Sequence, residues 1–339
     1  MLNFDENRFV RIQSDALALA GPIHDTIGAL VSQGAKNLYF LGAGGVGVLM
    51  QPAAQLLQRS TSFPVFLTQA AELRMTDSVN LGPGSIVVIP SVSGTTKEAV
   101  EILEFSKAKG ATVITLTGHA DTPLSQLADH NFTTFTADDT SSESFYLQSL
   151  VLALSLLCHL GEYTDAEYRA VIAQLSTLPT SLALVKRSFE DRAAALAAEI
   201  KDDEYHIITG AGSTWPEAWY YSTCILEEMQ WIRTRPVHAS DFFHGTLELL
   251  EEGVSLLVFK GEDSTRALVE RIEAWAPTVT SRVRVIDAAE FALPGVSDEV
   301  RGLISHVLIA TVLERLSAHL EVLRDHPLTT RRYYKRVAY

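Results

Sequence analysis

With 339 residues the chain is long enough for about two domains with cores of their own, and its 47% hydrophobic and 20% charged content excludes a fibre or a long disordered tract. Lysine and arginine number 27 against 41 aspartates and glutamates, a formal charge of −14, so the surface repels nucleic acid and anionic lipid. An anionic ligand must therefore be held by a local set of donors. Two cysteines, Cys158 and Cys224, are too few for a disulfide framework or a zinc cluster and fit a reducing compartment.

The first residues, Met1 to Arg8, include acidic side chains and no basic stretch leading into an apolar run. No secretory leader is expected, and the protein is read as cytoplasmic. Short apolar runs then alternate with longer helical patterns, which predicts parallel α/β sheets. Strands are expected at 37–41, 64–67, 85–89 and 112–116, and again at 205–209, near 235–238, at 255–259 and at 282–286. The most apolar stretch, 147–160, is shorter than the roughly 20 residues of a membrane span and reads as a buried helix.

The two halves carry the same signals in the same order. Gly42-Ala43-Gly44-Gly45 closes the first strand of one half as Gly210-Ala211-Gly212-Ser213 does in the other, and Ser85 to Ile89 matches Ser255 to Phe259. The fold class expected is α/β, an internally duplicated unit. Residues 1–163 form the first copy, 164–200 a helical connector broken at Leu178-Pro179-Thr180, and 201–339 the second copy with a basic tail. A ligand is expected where the carboxyl ends of the strands meet.

Ser91-Val92-Ser93-Gly94-Thr95-Thr96 follows a buried strand and opens a helix at Lys97. Several hydroxyls, a glycine and a helix amino terminus make a ready anion site. The plainer reading has Thr95 capping the helix, with Glu98 completing a capping box; it leaves Ser91, Ser93 and Thr96 unexplained. The duplicate loop reads Lys260-Gly261-Glu262-Asp263-Ser264-Thr265, with two carboxylates where an anion would lie, so phosphate is expected in the first half only. Gly42 to Gly47 is not a complete dinucleotide fingerprint, and no nucleotide cofactor is expected.

Titratable groups concentrate between Cys224 and Glu251. If 216–231 is a helix, Glu228 shares a face with Tyr221, Cys224 and Ile225, a setting that raises a carboxyl toward general-base use; the alternative is an ordinary solvated carboxylate. His244, in Asp241-Phe242-Phe243-His244-Gly245, stands at the entry to another helical stretch. His238 reads as structural, the histidines show no metal-ligand spacing, and no cysteine nucleophile stands out.

The glycine loop, the Ser91 to Thr96 loop and Ser240 to Gly245 together resemble the sugar isomerase (SIS) domain family, in the tandem arrangement of the isomerase half of glucosamine-6-phosphate synthase. More narrowly, Leu226 to Ile232, the Phe-Phe-His-Gly segment and the ending His326 to Tyr333 are similar to the bacterial fructosamine 6-phosphate deglycases, which act on fructose-asparagine 6-phosphate and fructoselysine 6-phosphate. The resemblance implies two three-layer SIS-type units with parallel sheets. It also implies Glu228 as catalytic base and His244 as catalytic histidine, reaching a neighbouring subunit's site in a homodimer. Ser91, Ser93, Thr96 and the glycine loop at Gly45 would then hold the substrate phosphate, and Arg331 or Arg332 in the tail would meet a substrate carboxylate or phosphate, the alternative being a solvated or subunit-bridging basic end. Val46 and Thr246 depart from the family pattern, the first removing a possible phosphate donor, the second affecting the entry to the helix. The implied activity is deglycation of a 6-phosphorylated fructosamine to glucose 6-phosphate and a free amine or amino acid, without metal or other cofactor. Another phosphosugar enzyme, such as an aldose–ketose isomerase or an amino-sugar phosphate deaminase, and a non-catalytic sugar-phosphate sensor are the alternatives. A small-molecule phosphosugar is the expected partner, with no nucleic acid and no membrane.

Overall fold

The computed structural model describes residues 1–334, 336 and 337; Lys335, Ala338 and Tyr339 of the basic tail lie outside them. The chain forms two compact units, one of residues 6–180 and one of residues 1–5 and 181–339. The first holds five parallel strands, β1 (Asn37–Gly42), β2 (Val65–Gln69), β3 (Ser85–Ser91), β4 (Thr112–Thr117) and β5 (His130–Thr133), in the order β2-β1-β3-β4-β5. Every residue of β1 and β3 is buried, as expected where helices cover both faces of a parallel sheet. β5 has no counterpart among the expected strands. Only Phe132 in it is apolar and buried, and it is tied to β4 by polar links, the Asn131 side chain accepting from the Thr115 and Thr117 hydroxyls at 2.8 and 3.0 Å.

The apolar stretch is indeed a core helix. Ser141–His159 is almost entirely buried, and two of its polar side chains are tied in, Gln148 donating to Thr134 Oγ1 at 3.0 Å and Ser155 to the Val151 carbonyl at 2.8 Å. By length and composition this helix and Asp298–Leu323 could each cross a membrane, but 94% and 89% of their apolar windows are covered by protein. At roughly 1.5–3 kcal/mol for each fully buried large apolar side chain, that burial supplies much of what holds each unit together.

The second unit has β6 (Tyr205–Gly210), β7 (Arg233–His238), β8 (Ser255–Lys260) and β9 (Val283–Asp287), all parallel, in the order β7-β6-β8-β9. Second, first, third, fourth is also the order of the first four strands of the other unit, so the duplication extends to topology. The helix expected over 216–231 is α-helical only at Thr214–Tyr220; Tyr221–Glu227 widens into a π-helix. The Glu228 amide donates to Thr223, five residues back, and the Ile232 amide to Leu226, so the widened turns lead the chain into β7. Such π-turns concentrate at functional sites.

Candidate active site

In the first unit the chain leaves β1 toward β2 and β3 toward β4, on opposite sides, so the carboxyl ends of neighbouring β1 and β3 flank a topological switch point. The Gly42 to Gly45 and Ser91 to Thr96 loops leave from these two ends. Ser91 is buried and its Oγ accepts from the Gly94 amide at 2.9 Å; Ser93 Oγ accepts from the Thr95 amide at 3.3 Å and from the Thr95 hydroxyl at 3.1 Å. The capping box does not form. Thr96 is the residue that caps Lys97–Ala108, in an extended conformation and without a side-chain capping bond. The helix start is thus left with uncapped N–H groups beside three hydroxyls.

At Gly94 φ is +63° and an added Cβ would lie 2.1 Å from Thr122 Oγ1, so only glycine lets this loop pack against Thr122, the capping residue of the next helix. Gly42 likewise meets Gly47, whose Cα would be 2.1 Å from a Cβ there, and Gly45 opens a helix of only four residues, Gly45–Val48.

The equivalent loops of the second unit, after β6 and β8, contain their own anion. Asp263 accepts from the amide and hydroxyl of Ser213 at 3.0 and 2.8 Å and from the amide and hydroxyl of Thr265 at 2.9 and 2.5 Å. Burial penalises the charge, but the hydrogen bonds from Thr265 and Ser213 outweigh it and hold the carboxyl below its ordinary value. The other carboxylate, Glu262, is paired with Arg301 at 2.7 Å. Asp263→Ala is expected to cost about 2 kcal/mol, since four donors lose their acceptor, and added phosphate should recover part of the loss. Unfolding followed by tryptophan fluorescence measures this, because Trp215, Trp219, Trp231 and Trp275 all lie in the second unit. A variant as stable as the parent and indifferent to phosphate would refute the resident-anion account.

Glu228 follows the π-helix and lines an open cleft of about 1130 Å³ at the amino ends of β6 and β7, with Tyr205, Glu227, Trp231, Arg324, Arg331 and Arg332 among its walls. The buried setting expected for it is not what the fold provides. Its side chain is 38% exposed, and Oε1 accepts from Arg331 Nε at 2.9 Å. The apolar neighbours are buried beneath it, where the Cys224 thiol is pushed up to about 12 by burial and by the charges of Glu228, Glu217 and Glu227, which suits an inert thiol and not a nucleophile. Glu227 is engaged elsewhere, accepting from the amide and hydroxyl of Thr234. Arg332 lies over the Trp231 ring at 3.9 Å, and Trp231 takes a φ of +56°, costly for so large a side chain. Trp231 and Arg324 carry no local sequence signal for a site, although Trp231 sits inside the segment that carries the deglycase resemblance.

His244 is exposed, in a turn after the carboxyl end of β7, and is not among the residues lining the cleft. Thr246 opens a single 3-10 turn, Thr246–Leu249, in place of the longer helix expected, and its hydroxyl accepts from Arg235 at 3.3 Å. His238 is held by Ser240 at 2.6 Å and packs edge-on against Trp215, with burial lowering its pKa, in keeping with a structural role. Within the second unit, therefore, Glu228 and the two arginines meet, while His244 stands apart. Ser91, Ser93, Thr96 and Gly45 belong to the other unit.

The first unit is an open doubly wound sheet with a hydroxyl-rich switch-point loop, and residues 33–158 match the SIS domain model: the chain contains an SIS domain. Similarity extends beyond it. The chain is 29% identical to fructosamine deglycase FrlB of Bacillus subtilis over 89% of its own length and 92% of that protein's. It is 26% identical to fructoselysine 6-phosphate deglycase of Escherichia coli, over 92% of this chain and 89% of that one. A crystal structure assigned as a phosphosugar isomerase from Bacillus subtilis superposes with a TM-score of 0.87 at 28% identity, covering 96% of this chain and all of that one.

Proposed function

We propose that the protein is a deglycase of 6-phosphorylated fructosamines, releasing glucose 6-phosphate and a free amine or amino acid. The observation that carries the reading is the asymmetry of the two switch-point loops. Both are rich in donors, but Asp263 occupies one set, and the Ser91 to Thr96 set holds no carboxylate of its own. The similarity to deglycases along nearly the whole chain favours this chemistry over aldose–ketose isomerisation.

Ser91, Ser93 and Thr96 hold the phosphate, with Gly45 in the neighbouring loop. His244 assists ring opening by proton transfer. Glu228 then takes a proton from C1 of the open ketoamine; the C1–H electron pair forms a C1=C2 bond and the C2 carbonyl oxygen takes up a proton. Return of the proton from Glu228 to C2 draws the nitrogen lone pair into a C1=N bond, and the resulting protonated imine adds water, passes a proton from that water to nitrogen and expels the amine. The resemblance to tandem SIS proteins has His244 supplied to the site by a second copy of the chain, which makes the working form a homodimer; its place outside the lining of the Glu228 cleft is in keeping with that.

A panel of fructosamine 6-phosphates followed by glucose 6-phosphate release tests the reading. Turnover of at least one is expected. Turnover of fructose 6-phosphate or glucosamine 6-phosphate alone would replace the deglycase with an isomerase or a deaminase.

A further inference from the structure

We propose that Arg331 is a positioning residue for Glu228: the guanidinium holds Oε1 and leaves Oε2 as the oxygen that takes the proton. The inference rests on the function proposed above and assigns to Arg331 a partner in the protein itself instead of a group on the substrate.

An exposed ion pair is ordinarily worth little, because both side chains must be ordered to form it. This one is made between groups already fixed. On the Arg331 side, Nη1 donates to the Leu328 carbonyl at 2.6 Å and to the Thr330 carbonyl at 3.0 Å, which turns the guanidinium edge carrying Nε toward Glu228. The segment bearing it is fastened at three further points. Gln230 Nε2 donates to the His326 carbonyl at 2.7 Å, the Leu328 amide donates to Glu321 at 2.9 Å, and the Trp231 ring meets His326 edge-on and Arg332 on its face. Arg331 is accordingly only 14% exposed. On the Glu228 side, the π-helix and the strained Trp231 fix the backbone that presents the carboxylate.

The two ends of this arrangement come from residues 103 positions apart. The strained backbone at Trp231 carries the same ring that seats the tail. A guanidinium bound through Nε to one carboxylate oxygen fixes both the torsion of the carboxyl group and the oxygen facing the cleft. Lysine, a point charge on a flexible stem, fixes neither. A base misplaced by about 1 Å loses on the order of 10²-fold in rate.

The test compares the wild-type chain with Arg331→Met and Arg331→Lys on the fructosamine 6-phosphate turned over fastest, with kcat and KM separated and melting temperatures recorded. Arg331→Met is expected to lose about 10- to 100-fold in kcat, with KM within about threefold and melting unchanged, and guanidinium ion in the assay should restore part of the rate. Arg331→Lys should recover little. Retained kcat with a raised KM, seen only for substrates carrying a carboxylate on the amine, would make Arg331 a substrate contact and overturn the proposal. So would a kcat loss that tracks melting and is not rescued by guanidinium. A wild-type chain inactive on every fructosamine 6-phosphate would instead remove the functional reading itself, and this inference with it.

Discussion

Glu228→Gln is expected to lose at least about 10²-fold in turnover, the usual scale for removing a general base, while melting and glucose 6-phosphate binding stay as they were. The substitution preserves shape and leaves an amide oxygen for Arg331 Nε, so the loss isolates the missing proton acceptor. Glu227 gives the control one residue away. Its Oε1 is committed to the Thr234 amide at 3.2 Å and the Thr234 hydroxyl at 2.6 Å, fastening the start of β7, and glutamine keeps that acceptor, so Glu227→Gln should leave both melting and turnover close to the parent. Steady-state kinetics of the two variants decide the matter: an inactive Glu227→Gln beside an active Glu228→Gln would make Glu227 the base.

The strands of both sheets were legible in the sequence because most of them are continuous apolar runs, such as Leu38 to Leu41 and Leu256 to Phe259, which only a covered parallel sheet accommodates. β5 was not, since His130 and Asn131 carry no such signal and its pairing depends on side-chain links to β4. The place of the charge in the second loop was legible as well. Two carboxylates in Lys260 to Thr265 could be read as incompatible with a phosphate, and one of them turns out to occupy the donors itself.

What no period of hydrophobicity could reveal was the π-helix. Glu228 follows that π-helix and its side chain is 38% exposed on the cleft, where a straight helix with Tyr221, Cys224 and Ile225 on its face had implied a desolvated carboxyl. The partner of Glu228 was equally hidden, because a contact between residues 228 and 331 depends on the path of the tail over Trp231 and on nothing local to either position.

The largest expected loss of stability belongs to a charge cluster remote from the proposed chemistry. Arg315 is wholly buried in the second unit, its Nε donating to Glu190 Oε2 at 2.7 Å and one Nη to Oε1 at 3.1 Å. Glu190 also receives the Leu2 amide at 2.7 Å and His319 at 3.2 Å, and the Phe4 ring lies against the guanidinium, so the first residues of the chain close over the pair. Glu190→Ala strands a buried cation and is expected to cost about 3–5 kcal/mol, read as a lowered denaturation midpoint by tryptophan fluorescence. The effect has a defined pH dependence. Burial opposes the ionisation of Glu190, but the Arg315 hydrogen bonds, the Leu2 amide and the neighbouring positive charges outweigh it and bring the carboxyl down from 4.5 to about 2. A carboxyl whose folded value is depressed stabilises the fold above its ordinary value and loses that contribution as the pH falls through the folded one. The gap between wild type and Glu190→Ala should therefore be full above pH 4.5 and narrow as the pH falls toward about 2. A gap that stays constant over that window would mean that Glu190 contributes through packing alone and that Arg315 finds its counter-charge in Glu314, 3.5 Å away.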